Sequence, residues 1–463
     1  MSNKTHITQR ALVLLFILTL AFSVRALTAN FIRTHLDDPG WFPFGIYAAF
    51  DAPAQDWLDG RASIFWIDDG TRTDKAIYAP GYPLWLAFVY KLTGSRLPQA
   101  VQNVQWLIDS FAVLLIVGIG VSAFDWRTGL CAGAIAALWP LLATYGAVPL
   151  ADAPTSWIVL GGTWMFLLAA QKQSLWWAIG AGALLGLSCW LRANALLLAF
   201  FWAAALWLFV SISWTRRLVL AGAVIAAAFL VISPILIRNA VVFQALAPTG
   251  LGAGTNLLEG IGDTDRGAKE FGAPSSDNEV VEQERALLNP PAGARFELYY
   301  PDGIQRDRAR TRRALAIIVR HPFWYAGSVA WRMVNVLKYA GQPNGIYGSA
   351  GINVTSRKSL PERSPGRIIS FLVNAIGGVQ SVLRYLLLPF MLAGIWLAVR
   401  RDWRISMLIL TTVGYYLVVG SLMHTHIRYG LPMQALLTIF AAIAMIQLGD
   451  VLTRTVDRIR MKG

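Results

Sequence analysis

Apolar residues fall along this chain in long unbroken blocks, with polar residues gathered between them. There is no alternation of the kind a half-exposed strand would need. Ten blocks reach the length of about 17–25 residues that spans a bilayer as a helix. They cover 11–30, 100–122, 128–147, 153–170, 175–191, 193–211, 218–237, 382–399, 405–423 and 431–448. A further apolar stretch at 369–376 either extends the eighth block or precedes it as a short surface helix. The pattern predicts an all-α polytopic membrane protein of about ten transmembrane helices.

Most connections between blocks are short, and two are not. The first long one, 31–99, separates the first span from the other nine. The second, 241–381, opens on a glycine- and proline-rich run (Pro248-Thr-Gly-Leu-Gly-Ala-Gly254) and carries helical spacing over 314–340, with Trp324, Tyr325, Trp331 and Arg332. Aromatic and cationic residues mixed in this way suit helices half immersed at the membrane interface. Three parts follow: an N-terminal module of seven spans over 1–240 that includes the first long loop, a second loop with interfacial helices over 241–381, and a C-terminal module of three spans over 382–463. No internal repeat of the kind found in many transporters is visible.

Composition agrees with immersion in lipid. Of 463 residues, 56% are hydrophobic and only 14% charged, against roughly a quarter charged in soluble domains. The net charge of +14 raises the question of nucleic acid. The basic residues sit instead where the positive-inside rule puts them: Lys4, Arg10, Arg127, Lys172, Arg216, Arg217, Arg400, Arg401, Arg404, Arg454, Arg458, Arg460 and Lys462 share one side. The expected location is therefore multi-pass in a membrane such as a bacterial inner membrane, with both termini cytoplasmic and both long loops outside. The first span is read as an anchor, since it lacks a small-residue cleavage site. Arg-rich 306–313 reads as an amphipathic helix resting on the outer membrane surface, and no nucleic-acid partner is expected. Cys131 and Cys189 fall inside spans, so no disulfide framework is implied.

The candidate chemistry lies on the outer side. Asp37 and Asp38 follow the first span and could act as a general base, or form a solvated pair or a helix cap at Pro39. Asp51 could serve likewise, or cap a helix begun at Pro53. Asp152, at the mouth of the third and fourth spans, is a costly acid at that depth and a functional candidate, with the N-cap of the fourth span as the plainer reading. Asp109, inside the second span, could face the same cavity or bond to a neighbouring helix. Lys75, Arg192 and Arg428 are cations that could bind a lipid-linked phosphate, or snorkel to headgroups. His424 and His426 flank Thr425 beside Arg428, where a structural or substrate-contacting role fits better than a metal.

In order along the chain, several short motifs carry a family resemblance: Ala54-Gln-Asp-Trp-Leu-Asp-Gly60, Tyr78-Ala-Pro-Gly-Tyr-Pro83, Leu150-Ala-Asp-Ala-Pro154, Leu191-Arg-Ala-Asn194, Asn256-Leu-Leu-Glu-Gly260, His321-Pro-Phe-Trp324 and Arg428-Tyr-Gly-Leu-Pro432. With the first long loop, they resemble the GT-C superfamily of polytopic glycosyltransferases, above all bacterial members related to protein O-mannosyltransferases and the aminoarabinose transferase of lipid A. Two departures stand out. The family's first acidic residue falls where this chain has Ile46, so Asp37-Asp38 and Asp51 compete for its role. The Glu-Pro that commonly precedes the Arg-Tyr motif is replaced by His426-Ile427.

The resemblance implies transfer of a sugar, with inversion, from a polyprenyl-phosphate donor to a hydroxyl of a protein, lipid or glycan acceptor at the outer face. It implies Asp37, Asp38, Asp51 or Asp152 as the base or acceptor-orienting group. Lys75, Arg192 and Arg428 would bind the lipid phosphate, and Tyr78, Tyr82, Asn256, His426 and Tyr429 would line the substrate groove. Membrane lipid is the only further partner expected, and no cofactor or metal is expected to be required. A transporter or flippase of lipid-linked sugars is the alternative, though it would be expected to show polar or broken helices near mid-bilayer. A non-catalytic assembly subunit would instead tolerate substitution at the acidic positions.

Overall fold

The computed structural model describes residues 2–33, 44–61, 79–245, 247, 250–337, 366–424 and 426–460. Among the described residues there are eighteen α-helices. They are α1 Ser2–Arg33, α2 Phe44–Leu58, α3 Gly81–Thr93, α4 Pro98–Ala123, α5 Trp126–Leu138, α6 Pro140–Ala147, α7 Asp152–Lys172, α8 Leu175–Leu191 and α9 Leu198–Phe209. They continue with α10 Trp214–Val242, α11 Ala253–Gly262, α12 Asp265–Phe271, α13 Asp277–Leu288, α14 Gly303–Arg320, α15 Pro322–Leu337, α16 Arg367–Arg401, α17 Trp403–Val418 and α18 Leu431–Arg460. Among the described residues the only β-structure is an isolated bridge between Glu297 and Tyr300. This is an all-α polytopic membrane protein.

Among the described residues, six helices are long and apolar enough to cross a bilayer: Thr8–Arg33, Pro98–Ala123, Asp152–Lys172, Trp214–Val242, Trp403–Ser421 and Ile427–Arg460. Two bent pairs raise the number to eight. The expected ten is therefore not reached. The remaining two blocks correspond to Leu175–Leu191 and Ala193–Phe209, each of 17 residues or fewer. At 1.5 Å per residue such a helix extends about 25 Å, at the lower limit for a core about 30 Å thick. The block at 128–147 is not one rod either. It breaks by 61° between α5 and α6, where Pro140 supplies no N–H and Trp139 takes an extended backbone. The stretch at 369–376 is the first part of α16, which bends by 51° between Leu383 and Tyr385.

The core is one continuous apolar cluster drawn from α4, α5, α7, α8, α9, α10, α16, α17 and α18. Helix α8 packs against both α7 and α10, and α16 against α18. At one end of this bundle, Arg127 pairs with Asp450 at 2.8 Å and Arg401 with Asp125 at 2.9 Å. At the other end, α7 begins, α8 finishes and α18 begins, and the two long connecting segments pack there.

Helices α2 and α3 come from the first connecting segment. Tyr47, Phe50, Tyr82 and Leu86 form an apolar cluster with Ala151 and Leu191, the residues just before Asp152 and Arg192. Gly81 permits this seat: a Cβ there would lie 2.4 Å from the Trp190 carbonyl oxygen. From the second segment, α11 packs on α14. Helix α14, expected as an Arg-rich amphipathic helix, buries some of its arginines and exposes others. Arg306 and Arg310 are buried, and Arg310 Nε lies 2.7 Å from Glu284 of α13, which Arg306 also engages. Asp307 points at the start of α11, accepting from Thr255 N at 3.1 Å. The exposed side of α14 and α15 mixes Arg308, Arg312 and Arg320 with Leu315, Val319, Phe323 and Trp331.

Candidate active site

Asp152 is the first residue of α7, and its side chain is 3% exposed. A carboxylate there meets the positive end of the helix dipole. It does not cap the helix. Its Oδ1 accepts instead from Arg192, which directly follows α8. Arg192 in turn lies over the Tyr429 ring at 4.4 Å, and Arg428 stands 5.4 Å from the same ring. Arg428 and Tyr429 belong to the 3-10 turn Ile427–Gly430 that opens α18, and Arg428 is buried. Asn194 secures the turn from the α8 side, donating to the Tyr429 carbonyl at 3.4 Å, while Tyr415 OH donates to the Asn194 carbonyl at 2.7 Å. The structure thus brings Asp152, Arg192, Arg428 and Tyr429 together at one end of the bundle, from three helices. Two guanidinium groups there share a single buried carboxylate.

Around this centre the other candidates divide. Tyr82 is fully buried beside it, edge-on to Phe50 at 5.0 Å and donating to Gln105 at 3.3 Å. Asp51 lies within α2, so it does not cap a helix begun at Pro53, which is itself inside α2. Its carboxylate accepts from Tyr90 OH and from Gln55 Nε2 at 2.8 Å, and Tyr90 is joined to Tyr47 at 2.6 Å. Asn256 donates to the Gly252 carbonyl at 2.7 Å and accepts at its own carbonyl from His424 N at 2.7 Å. His426 stands edge-on to Tyr429 at 5.5 Å. Asp37, Asp38, Lys75 and Tyr78 lie outside the described residues.

Asp109 belongs elsewhere. Its Oδ2 takes Arg25 Nε at 2.6 Å and its Oδ1 takes Trp157 Nε1 at 2.6 Å, which closes a buried ion pair between α1 and α4. Arg25 was not among the candidates, although a lone cation inside a strongly apolar first span is itself a signal. Arg332 is a brace: Nε donates to the Ser421 carbonyl at 2.8 Å and a terminal nitrogen to the Gly260 carbonyl at 2.6 Å.

Further acids flank the histidine turn and were not singled out from sequence. Asp263 Oδ2 lies 2.6 Å from His424 Nδ1. Burial and the nearby charge of Asp277 push the Glu259 carboxyl up to about 8. Asp263 is 161 residues from His424 in sequence, so only the fold reveals this pairing. Among the described residues, no group of three or more His, Cys, Asp or Glu side chains could hold a metal ion.

Comparisons with known proteins bear on the family and the fold. The family model described as dolichyl-phosphate-mannose-protein mannosyltransferase matches residues 76–237, the segment from α3 through most of α10 that carries Tyr82, Asp152 and Arg192. The archaeal oligosaccharyltransferase AglB from Archaeoglobus fulgidus, solved with an inhibitory peptide and a dolichol-phosphate, is similar over 96% of this chain at 12% identity, with a TM-score of 0.50. The apo form of the Archaeoglobus fulgidus oligosaccharyltransferase is similar over 95% at 13% identity, with a TM-score of 0.48. This chain spans about half the length of those proteins, 52% of each. At such identity the likeness concerns the fold. No curated protein sequence matches the chain.

Proposed function

We propose that this chain transfers a sugar from a polyprenyl-phosphate donor to an acceptor hydroxyl at the outer face of the membrane, with inversion at the anomeric carbon. The observation that carries this reading is the Arg192–Tyr429–Arg428 array set against buried Asp152 at one end of an apolar bundle. A prenyl chain would lie along the bundle while its phosphate meets two guanidinium groups, which bind phosphate oxygens through paired N–H donors.

In the proposed reaction the acceptor oxygen attacks the anomeric carbon as the bond from that carbon to the phosphate oxygen breaks. The electron pair leaves on the polyprenyl phosphate, where Arg428 and Arg192 stabilise the anion that has formed. The acceptor proton passes to a carboxylate. The first long segment supplies the candidates Asp37, Asp38 and Asp51, and α2 packs through Phe50 and Tyr82 onto the residues preceding Asp152 and Arg192. Asp152 holds Arg192 in place and keeps the local charge near balance before the donor arrives. The dolichol-phosphate seen with the archaeal oligosaccharyltransferase supports a lipid phosphate as donor, and the peptide seen there supports a protein acceptor.

The test uses purified protein in lipid vesicles with a radiolabelled polyprenyl-phosphate sugar. Label released from the lipid or joined to acceptor supports sugar transfer. Intact labelled lipid crossing the bilayer, with no cleavage, would support a flippase and overturn the reading.

A further inference from the structure

A second group of titratable side chains lies where α11 meets the turn before α18. Asp263, just after α11, accepts from His424 Nδ1 at 2.6 Å, and His424 Nε2 lies 3.0 Å from His426 Nε2. His426 then meets the Tyr429 ring edge-on, the ring against which Arg192 and Arg428 are set. The backbone clamps this line in place. Tyr325 OH donates to the Leu422 carbonyl, and Arg332 ties the carbonyls of Gly260 and Ser421 together. Gly260 has no room for a side chain, since a Cβ there would lie 2.5 Å from His424 N.

The protons along the line follow from its partners. An ionised carboxylate only accepts, so His424 Nδ1 carries hydrogen. Burial pulls the His424 pKa down, but the bond to Asp263 and its charge outweigh this and leave it raised. Burial, Arg428 and His424 push His426 down to about 3. His426 therefore stays neutral while His424 takes up the proton. The imidazolium of His424 donates at both ring nitrogens, to Asp263 and to His426. The charged groups facing it are Asp263 and Glu259 of α11 and its end, Asp277 of α13, Arg332 of α15, and Arg428 and Arg192 beyond His426.

We propose that Asp263, His424 and His426 form a positioning chain that holds Tyr429, Arg428 and Arg192 ready for the donor phosphate while His424 is protonated. It rests on the sugar-transfer reading above. Loss of the His424 proton removes the N–H that His424 donates to His426, so that the contact would need the other His426 tautomer, and removes a positive charge beside the phosphate pocket. A phosphodiester donor keeps one negative charge throughout, so a change of affinity near neutral pH reports the protein.

The experiment measures binding of a polyprenyl-phosphate sugar, and its transfer, by the full chain in lipid nanodiscs across neutral pH. Wild-type donor affinity falls as pH rises through a single ionisation above the ordinary imidazole range. Asp263→Asn moves that midpoint down by about 1–2 pH units and weakens donor binding at neutral pH about tenfold, leaving acceptor KM unchanged. His424→Gln, whose amide can still donate to His426, keeps affinity within about threefold and abolishes the midpoint. Binding that keeps the wild-type midpoint in both variants, or a loss confined to kcat, overturns the positioning chain alone. A wild-type protein that neither binds nor cleaves the donor at any pH overturns the sugar-transfer reading itself, and this proposal with it.

Discussion

Two acid–arginine pairs inside this bundle look alike in sequence and differ in structure. Arg25–Asp109 is closed: the arginine side chain is 2% exposed, and both carboxylate oxygens are used, by Arg25 and by Trp157. Asp152–Arg192 is open on one side. The acid is as buried as Asp109, but the guanidinium is 25% exposed and continues through Tyr429 to a second arginine. A closed pair has no valence left for a ligand. An open pair next to a second cation is set up to receive an anion. Burial of an ionisable group inside a membrane bundle therefore does not by itself mark a site; what distinguishes one is where the remaining donors point.

Breaking the closed pair should give the largest effect. Arg25→Ala leaves Asp109 buried without its partner, and such uncompensated charges cost about 3–5 kcal/mol. Thermal unfolding in detergent should show the loss directly, while donor affinity of the protein that remains folded stays at the wild-type value. Arg428→Ala comes next. Removing one preorganised donor from a developing anion costs about 10²–10³-fold in turnover. Here the unfolding temperature should hold and the initial rate of transfer should fall.

A smaller effect is expected at Asp51. Its partners Tyr90 and Gln55 share the same small helical layer, so Asp51→Asn should cost about 1–2 kcal/mol of stability through weakened hydrogen bonds. If Asp51 is also the base, transfer will fall about 10²–10⁴-fold in addition, which a rate assay separates from unfolding.

Much of the architecture could be read from the chain, because a lipid-facing helix announces itself by an apolar block. The site was partly legible for a related reason. Asp152, Arg192 and Arg428 each stand at the edge of such a block, where a charge is expensive unless it has work or a partner. The shape within the blocks was not legible. Hydropathy averages over Trp139-Pro140 and so hides the break between α5 and α6, and it does not separate the 17 residues of α8, at the lower limit of a span, from the longer helices. Pairings were hidden as well: nothing local ties Arg25 to Asp109 or Asp263 to His424. Nor could the sequence tell which arginines of α14 are buried: Arg306 and Arg310 close on Glu284 of a neighbouring helix, while Arg308 and Arg312 stay exposed.

The smallest predicted effect concerns the acid next to the histidine turn. With its pKa raised to about 8, Glu259 binds its proton more tightly in the folded chain than in the unfolded one. Its contribution to stability is therefore full below the ordinary carboxylate range and is lost as pH rises towards 8. Glu259→Gln should flatten that part of the curve of unfolding temperature against pH, leaving stability in acid nearly unchanged.

The central claim is that the open pair and its neighbouring arginine grip the donor's phosphate. Its most direct test is the affinity of a polyprenyl-phosphate sugar for nanodisc-embedded protein, comparing Arg428→Ala with wild type at low and high salt. The account predicts at least a tenfold loss in the variant and a weaker dependence on salt. Equal affinity and equal salt dependence in the two proteins would contradict it.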